Sequence, residues 1–542
     1  MFLALLVLLA LAEGWRRTRH RIRAVRPRLR PEWRALRGEC IASLRGVAAW
    51  EWALLAVATA IAVALRLRDL DQPIRYDEAA TWLDYASKPI AYALSDYRFP
   101  NNHLFHTLLV HLAAALFGDS PVALRLPAFA AGVLLVPLTW AAARATCSRA
   151  AAPIAAMLAA TSASLVLYST NARGYTIVCC LTMAIVILAT RQRMRDDAAG
   201  WLAIATLAAI GAWTIPIMLF PMLGVALWLW AEARACDAAI DGKTMRSRVG
   251  WTGATMAALT AVLYLPVIAR SGIALVIGNR FVRPQSRASF FAALPGFYGD
   301  LWTDWTRGWP GWLALLVALG VLVSLFARGA RRQRVPIFGA MLVAATLLLI
   351  VNGRIPYLRV WLFMLPLLLA AAAGGLAWLG ERASRGLRLR AGSPARATAL
   401  LAGCALIGVS GALGLMRSGV VRRAEDTGTL RDGAAIAALL GRESGARDHV
   451  IATAPADVPL AYHLRRLRLA HDPLRATPDS APRLWVVVSD AAGQHLSQLL
   501  DDSQVMTIDF TPPRLAARFP EARVFVLDRT QPGCALDRSR CR

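Results

Sequence analysis

Apolar runs long enough to cross a lipid bilayer recur along the first 415 residues of the chain, and arginine-rich linkers separate many of them. A helix that spans a bilayer needs about 20 apolar residues, and a soluble domain does not contain many such runs in succession. Hydrophobic residues make up 57% of the 542 residues and charged residues 18%. The sequence therefore predicts a polytopic α-helical membrane protein.

The net charge of +27 would suggest nucleic-acid binding if the protein were soluble. Most of the basic residues instead fall in the short linkers between apolar runs. This distribution is typical of the cytoplasmic linkers of a bacterial inner (plasma) membrane protein. We therefore expect that location, with membrane lipids and not nucleic acid among the partners.

The charge pattern divides the chain into three parts, residues 1–46, 47–416 and 417–542. Residues 1–46 hold a short apolar segment, Met1–Ala12, interpreted as a marginal anchor and not a cleaved signal, followed by a basic cytoplasmic region. Residues 47–416 form the multi-span domain, with a first outer loop at 66–123 and a second large one at 270–310.

Two long apolar blocks have arginines at both ends, so each is expected to cross the membrane twice. The predicted spans are Val47–Leu65, Leu124–Ala143, two within Ala152–Thr190, two within Ala199–Trp230, Gly250–Ile268, Gly311–Ala327, Val335–Val351, Val360–Leu379 and Thr398–Leu415. Eleven crossings that start in the cytoplasm place the tail, residues 417–542, outside.

The tail alternates short helical and strand patterns, which predicts a small extracytoplasmic α/β domain. The predicted elements are helices at Gly433–Glu443, Pro459–Leu467 and Gly493–Leu500 and strands at His449–Ala454, Leu484–Ser489 and Arg523–Leu527. It has no glycine-rich phosphate loop, so nucleotide binding is not indicated. Its role is left open between a stabilising cap, substrate gating and contact with a partner.

Cys534 and Cys541 are the two of eight cysteines that fall in this tail. Closely spaced cysteines in an oxidising compartment can form a disulfide, and two unpaired thiols are the alternative. No histidine or cysteine pair accompanies them as zinc ligands.

Two adjacent carboxylates, Asp77 and Glu78, lie in the first outer loop, about three helical turns after the first confident span. A carboxylate there could act as general base toward an acceptor hydroxyl. One of the pair could instead orient the acceptor or bind a divalent cation, and a pair of solvated acidic residues is the plain alternative.

The segment Phe99–Phe117 places leucines at helical spacing behind a polar start that contains Asn102, His103 and His106. This pattern predicts an amphipathic helix at the membrane interface. Its polar residues could contact a phosphate or a sugar, or could be interfacial residues with no special role.

Arginines also recur at the expected outer ends of the spans, against the usual charge bias. They are Arg75, Arg98, Arg125, Arg173, Arg280, Arg283, Arg354 and Arg359. Arginine supplies bidentate donors to phosphate, although a single outer arginine is more often a residue that extends to lipid headgroups.

Three stretches together resemble the GT-C class of lipid-phosphosugar-dependent membrane glycosyltransferases, in the branch of protein mannosyltransferases and aminoarabinose transferases. They are the Asp-Glu pair followed by HTLLVHLAAALFGDS and ALRLPAFAAGVLLVPLTW, the turn LVLYSTNARGYTIV, and PYLRVWLFMLPLLLA. The resemblance extends from about Val47 to Thr190, is patchy to Leu379 and is absent in the tail.

The resemblance implies that a sugar moves from a polyprenyl-phosphate donor to an acceptor glycan, lipid or protein, with inversion at the anomeric carbon. It makes Asp77 the candidate base, with Glu78 beside it in the catalytic pair. Arg173 and Arg359, joined by Arg75, become candidates for the donor phosphate.

The polar start of the predicted amphipathic helix makes His103 and Asn102 candidates for contact with acceptor or donor, and the resemblance adds Tyr175. Where the family often has His-Pro-Pro, this chain has Pro100-Asn101-Asn102-His103. The sequence carries no separate metal motif, so no cofactor is firmly indicated and a divalent cation stays open.

Two other classes of function would also use many spans. A transporter or lipid flippase should carry internal repeats and broken or polar helices near the bilayer midplane, and the sequence shows little of either. A non-catalytic scaffold would leave Asp77 and the outer arginines without a purpose.

Overall fold

The computed structural model describes residues 29–234, 240–277, 285–390, 393–424, 428–469, 474, 480–503 and 509–530. The predicted anchor Met1–Ala12, Arg280, Arg283, and the Cys534 and Cys541 pair lie outside the described residues.

The membrane domain is a bundle of helices that share one continuous apolar core. Its helices are α1 (29–45), α2 (Ala49–Arg68), α3 (Tyr76–Thr81), α4 (Ile90–Ala93), α5 (Leu104–Phe117), α6 (Pro121–Thr146), α7 (Ala151–Thr161), α8 (Ala163–Ser169), α9 (Tyr175–Gln192), α10 (Ala198–Thr214), α11 (Leu219–Arg234), α12 (Gly242–Ser271), α13 (Ile273–Ile277), α14 (Arg287–Thr306), α15 (Gly311–Phe326), α16 (Ile337–Asn352), α17 (Leu365–Gly386), α18 (Pro394–Ser418) and α19 (Val420–Arg423). A π-helical turn, Trp82–Ala86, follows α3, and 3₁₀ turns cover Pro216–Met218, Arg328–Ala330 and Leu358–Met364.

Each of the eleven predicted spans coincides with a helix or a broken helix in the described part of the chain. By length and apolar composition, seven described helices are able to cross a membrane, and up to nine when each bent pair counts as one span. The block 152–190 holds α7, α8 and α9, and the block 199–230 holds α10 and α11, so both blocks contain the predicted pair. The multi-span architecture is therefore confirmed.

The span formed by α7 and α8 is bent by 60° at Ser162. A break in a helix frees backbone carbonyls, which in an apolar bundle need other donors. Arg66 Nη1 donates to the carbonyl of Ala160 at 3.3 Å, and the indole of Trp309 donates to that of Thr161 at 3.0 Å. These buried donors stabilise a broken helix whose end leads into the turn 170–174.

The second predicted outer loop, 270–310, contains the long helix α14, which is bent by 119° from α15. Its aromatic residues pack on the connection before α17. The rings of Phe297 and Tyr298 lie 5.5 and 5.7 Å from that of Trp361. This helix therefore supports the segment that carries Arg359.

Helix α5 packs against α6 and α10. His106, Thr107 and Val110 are buried on that side, while Leu112 and Leu116 are exposed. The predicted apolar face thus turns outward at the end of the helix, and the histidine side turns toward the bundle.

The C-terminal domain has one four-stranded sheet with helices packed on it. Its elements are α20 (Gly433–Glu443), β1 (His449–Ile451), α21 (Asp457–Arg466), β2 (Arg483–Ser489), α22 (Leu496–Asp502), β3 (Arg514–Arg518) and β4 (Ala522–Asp528). The strand order is β1-β2-β4-β3, with β1 parallel to β2 and the other pairs antiparallel. The predicted α/β domain is confirmed.

The six predicted tail elements agree with the structure to within a few residues, but the sequence analysis missed β3. This strand lies at the edge of the sheet, its two ends are arginines, and none of its residues is buried. An edge strand without an apolar face lacks the alternation on which strand prediction depends.

Candidate active site

The first turn of α3 holds both predicted carboxylates and directs them to different surroundings. Asp77 and Glu78 are the second and third residues of the helix, and Glu78 accepts a 2.9 Å hydrogen bond from the backbone N–H of Arg75. This capping contact fixes where the helix begins. The Asp77 side chain is 19% exposed and that of Glu78 only 1%.

Glu78 forms a buried bidentate ion pair. Arg125 of α6 donates from Nε to Oε1 at 2.8 Å and from Nη2 to Oε2 at 2.7 Å, and the N–H of Ala172 donates to Oε1 at 2.6 Å. Burial alone would raise the pKa of the Glu78 carboxyl, but Arg125 and the two backbone donors hold this pKa below its ordinary value.

The carboxylate of Glu78 therefore fastens α3 to α6 and to the turn 170–174. The catalytic role of Glu78 stays a prediction, and the structure shows both of its oxygens engaged by these donors. Arg125, one of the outer arginines named as candidates for a phosphate, is the buried partner of this carboxylate and also donates to the carbonyls of Leu70 and Gln72.

Asp77 is the carboxylate of the pair that stays available. Within the described residues its side chain accepts no hydrogen bond, and its nearest cation is Arg359, with Nη2 3.9 Å from Oδ2. A partly exposed carboxylate beside a guanidinium retains lone pairs that can take a proton from an incoming hydroxyl.

Arg359 lies between Asp77 and two tyrosines. Its Nε donates to the hydroxyl of Tyr175 at 3.2 Å, and its guanidinium lies 4.4 Å from the ring centre of Tyr357. The Tyr175 ring in turn makes an edge contact with the His103 imidazole, with 5.2 Å between ring centres. The connection between α16 and α17, which carries Arg359, therefore contacts the start of α9, and α9 in turn contacts the first outer loop.

Arg173 is the second arginine at this place and is only 4% exposed. Its Nη1 donates to the hydroxyl of Thr81 at 2.9 Å and to the carbonyl of Asn101 at 2.8 Å, while Nη2 lies 2.9 Å from His103 Nε2. Its Nε is buried and has no hydrogen-bond acceptor among the described residues. Arg173 therefore retains donor capacity that its neighbours do not use.

The His103 imidazole lies between two donors, since the N–H of Gly174 donates to Nδ1 at 3.1 Å and Arg173 faces Nε2. Burial, and then the charge of Arg173, lowers the pKa of His103 well below 6.5, so the ring is neutral. A neutral imidazole accepts at one nitrogen and donates at the other. One tautomer accepts from Gly174 at Nδ1 and the other accepts from Arg173 at Nε2, so a neutral His103 satisfies only one of these two donors at a time.

Two of the candidate site residues are hydrogen-bonded to loop backbone. The Asn102 amide donates to the carbonyls of Ala93 and Asp96 at 2.8 Å each and accepts from Thr107, so it closes the loop before α5. Arg75 is buried and donates to the carbonyls of Val421 and Ala424, beyond the last membrane helix. Neither side chain joins the cluster around Asp77, because each is used to hold loop backbone in place.

Other buried polar groups near this turn have no hydrogen-bond partner among the described residues. They are both ring nitrogens of His106 and both side-chain polar atoms of Asn171. The sequence analysis named His106 only as one of several interfacial polar residues and did not single out Asn171. The position of Asn171 directly before Ala172 and Arg173 was the sequence signal that could have identified it as a site residue.

The site, called here the Asp77 cluster, consists of Asp77, His103, Arg173, Tyr175 and Arg359. In the part of the chain that the structure describes, no group of three or more His, Cys, Asp or Glu side chains is arranged to hold a metal ion.

Comparison with known proteins shows which known structures the chain resembles in fold. Residues 102–268 match the family model for dolichyl-phosphate-mannose-protein mannosyltransferase. No curated protein matches the chain in sequence.

Among solved structures, ArnT from Cupriavidus metallidurans in the apo state is 15% identical, with a TM-score of 0.59, over 89% of this chain and 98% of that chain. The same protein bound to undecaprenyl phosphate matches with a TM-score of 0.58 at 15% identity, over 88% and 98% of the two chains. The archaeal oligosaccharyltransferase AglB from Archaeoglobus fulgidus, in complex with an inhibitory peptide and a dolichol-phosphate, is 12% identical with a TM-score of 0.51, over 89% and 74%.

The predicted resemblance is confirmed: the chain has the fold of the GT-C class of membrane glycosyltransferases and resembles the protein mannosyltransferase and ArnT branch of that class.

Proposed function

We propose that the protein is an inverting glycosyltransferase that moves a hexose or a pentose from a polyprenyl-phosphate donor to an envelope glycan, lipid or protein. The observation that carries this proposal is the Asp77 cluster, in which the available carboxylate lies 3.9 Å from Arg359, while Arg173, from another part of the chain, donates to the hydroxyl of Thr81 in the same helix at 2.9 Å. The match to the mannosyltransferase family model and the similarity to structures that hold undecaprenyl phosphate or dolichol-phosphate support this donor class.

In this proposal Asp77 is the general base. Its carboxylate accepts the proton of the acceptor hydroxyl as the hydroxyl oxygen attacks the anomeric carbon of the sugar. The bond between that carbon and the phosphate oxygen breaks on the opposite side, and the bonding electrons leave with the polyprenyl phosphate. Attack opposite the leaving group inverts the configuration of the anomeric carbon.

Arg359 and Arg173 stabilise the charge that develops on the departing phosphate. Arg359 is 15% exposed at the Asp77 side of the cluster, and Arg173 has the unsatisfied Nε in its interior. Guanidinium groups that protein contacts already hold in place require little rearrangement when charge develops in the transition state. Tyr175 and neutral His103, which contact these arginines, are the proposed donor contacts.

We also propose that this chemistry takes place on the outer face of a bacterial inner membrane, with the C-terminal domain extracytoplasmic. The support is the charge pattern. The helices α9 and α17 begin near the Asp77 cluster, and arginine-rich linkers, typical of the cytoplasmic side, follow their other ends.

The proposal needs no divalent cation, because the arginines supply the positive charge and Arg125 occupies the second carboxylate of the pair. Sugar transfer that continues in EDTA is the expected result. Transfer that stops and returns with added Mg²⁺ or Mn²⁺ would show that a cation joins Asp77.

The decisive experiment measures transfer of radiolabelled sugars from a panel of polyprenyl-phosphate donors to membrane acceptors. Membranes carry the wild type, Asp77→Asn or the control Asp71→Asn at equal expression. Asp71 lies in the same loop, its side chain is 71% exposed, and its partner is Arg422 outside the cluster.

We expect Asp77→Asn to lower transfer by about 10²-fold or more, the usual scale for loss of a general base, and Asp71→Asn to leave it unchanged. Equal transfer by Asp77→Asn and the wild type would remove Asp77 as the base. No transfer by the wild type with any donor would overturn the proposed function.

A further inference from the structure

The C-terminal domain contacts the short helix that carries Asp77. Helix α21 packs against α3, and residues 428–429 run alongside the residues that precede this helix. The backbone N–H of Tyr76 donates to the carbonyl of Gly428 at 3.1 Å, and the hydroxyl of Thr429 donates to the carbonyl of Ile74 at 2.9 Å. The two domains therefore meet at the start of α3.

The residues on either side of Asp77 are fixed to different domains. Tyr76 is bound to Gly428 of the C-terminal domain, whereas Glu78 is bound to Arg125 of the membrane domain. Asp77 makes no side-chain hydrogen bond among the described residues, so its position depends on the backbone that these two neighbours hold. A displacement of either anchor moves the carboxylate.

Tyr462 of α21 provides a second contact near this helix. Its side chain is fully buried in an apolar cluster with Ile74, Ala79 and Ala172, which lie before α3, within it and in the turn 170–174. Its hydroxyl donates to the carbonyl of Asp119 at 2.6 Å. One side chain of the C-terminal domain thus packs on two of the segments that carry the Asp77 cluster.

Gly428 occupies a place that other residues cannot take without displacement. Its φ of +77° lies in the left-handed region, and a Cβ at this position would lie 2.4 Å from Cβ of Pro455. A side chain here would therefore displace Gly428, whose carbonyl accepts the hydrogen bond from Tyr76, or Pro455.

We propose that the C-terminal domain is a positioning element of the active site: Gly428, Thr429 and Tyr462 set the place of the Asp77 carboxylate relative to the arginines of the membrane domain. The inference rests on the proposed function, in which Asp77 is the base. It assigns the domain more than a stabilising role, because Gly428 and Thr429 hold the backbone directly before the base.

The test uses the full-length protein in lipid nanodiscs and compares Gly428→Ala, Thr429→Val, Thr429→Ser and Tyr462→Phe with the wild type. The matched control is Arg466→Gln. Arg466 lies in the same helix as Tyr462, and its substitution removes an exposed ion pair with Asp119. Initial rates give kcat and the KM for the donor, and binding of the bare polyprenyl phosphate is measured separately.

A misplacement of about 1 Å at a reacting group is able to cost about 10²-fold in rate. We expect Gly428→Ala and Thr429→Val to lower kcat by about tenfold or more, and Tyr462→Phe by a smaller factor, while donor KM and lipid binding change by less than about twofold. Thr429→Ser, which keeps the hydroxyl, and Arg466→Gln should retain the wild-type kcat.

A kcat of wild-type size in both Gly428→Ala and Thr429→Val would overturn the inference. The positioning role would also be rejected if Thr429→Ser loses as much activity as Thr429→Val, or if each loss of kcat equals the loss of folded protein in the sample.

A second readout does not depend on catalysis. Asp77→Cys is labelled with a membrane-impermeant thiol reagent. The labelling rate of the same chain with Asp77 unchanged is subtracted, because the other cysteines give a background. Adding Gly428→Ala should change the labelling rate at least about threefold, and adding Arg466→Gln should not. An unchanged labelling rate with Gly428→Ala would reject the positioning role. Absence of sugar transfer by the wild type would reject only the proposed function, and the labelling test would remain valid in that case.

Discussion

Asp77 and Glu78 are adjacent in sequence, yet Glu78 accepts four hydrogen bonds and Asp77 accepts none from the described residues. Successive residues of a helix point about 100° apart, so Glu78 faces Arg125 and the bundle while Asp77 faces Arg359. A buried carboxylate needs such partners, whereas a general base needs a lone pair that is not engaged. The two requirements separate the roles of otherwise similar side chains.

Arg359 is predicted to bind the donor phosphate, so its substitution should weaken donor binding. A charge-assisted hydrogen bond contributes about 1.5–3 kcal/mol, and its loss in Arg359→Gln should raise the Kd for polyprenyl phosphate about tenfold or more. Arg359→Lys should recover part of the affinity, since lysine keeps the charge but not the bidentate geometry.

Isothermal titration or thermophoresis with the purified protein measures this Kd. Arg354→Gln, in the same connection before α17 but outside the Asp77 cluster, is the control that should bind normally. A wild-type Kd in Arg359→Gln would exclude Arg359 from the phosphate site.

Short elements in this protein depend on long-range anchors. Helix α3 has only six residues, too few to be stable alone, and Glu78 fastens it to α6 and to the turn 170–174. Helix α14 and the break at Ser162 likewise depend on contacts from other helices.

Glu78→Gln should therefore unfold the site before it changes the chemistry. Removing one partner of a buried ion pair leaves Arg125 with an uncompensated charge and costs about 3–5 kcal/mol. We expect a lower midpoint of thermal unfolding for Glu78→Gln in purified protein and a much smaller change for the exposed-pair variant Asp71→Asn. Equal midpoints for the two variants would argue against the anchoring role.

At the scale of the whole molecule, acid should destabilise the C-terminal domain, in which His463 of α21 faces Gly433 of α20. Burial, and then the charge of Arg466, lowers the pKa of His463 in α21 from 6.5 to about 4. In the unfolded chain this imidazole takes up its proton near pH 6.5, whereas in the folded chain it does so only near pH 4. Stability is therefore full above pH 6.5 and falls as the pH drops from 6.5 toward 4.

The midpoint of thermal unfolding of the wild type, recorded between about pH 7.5 and 4.5, should decrease as the pH drops below 6.5. His463→Gln should show a shallower fall, and His495→Gln, at an exposed position, should follow the wild type. Parallel curves for the wild type and His463→Gln would show that His463 does not contribute.

Residue type and apolar run length were enough to predict the membrane fold, the helices at the eleven spans and most of the tail. Residue patterns also selected Asp77, His103, Arg173 and Arg359 as candidates, the resemblance to the glycosyltransferase class added Tyr175, and the fold brings all five into one cluster. The same residue patterns also pointed to Arg75 and Asn102, because local sequence cannot distinguish an arginine or amide that binds ligand from one that binds loop backbone.

The sequence by itself determined the class of protein, because transfer of apolar segments into a bilayer is a property of each run, independent of its neighbours. Only the tertiary structure decided which carboxylate of the Asp77 and Glu78 pair is engaged and which arginine is its partner. It also decided that the C-terminal domain contacts the helix that carries Asp77. Ion pairs and hydrogen bonds join residues far apart in the chain, so their partners are fixed only when the helices are packed.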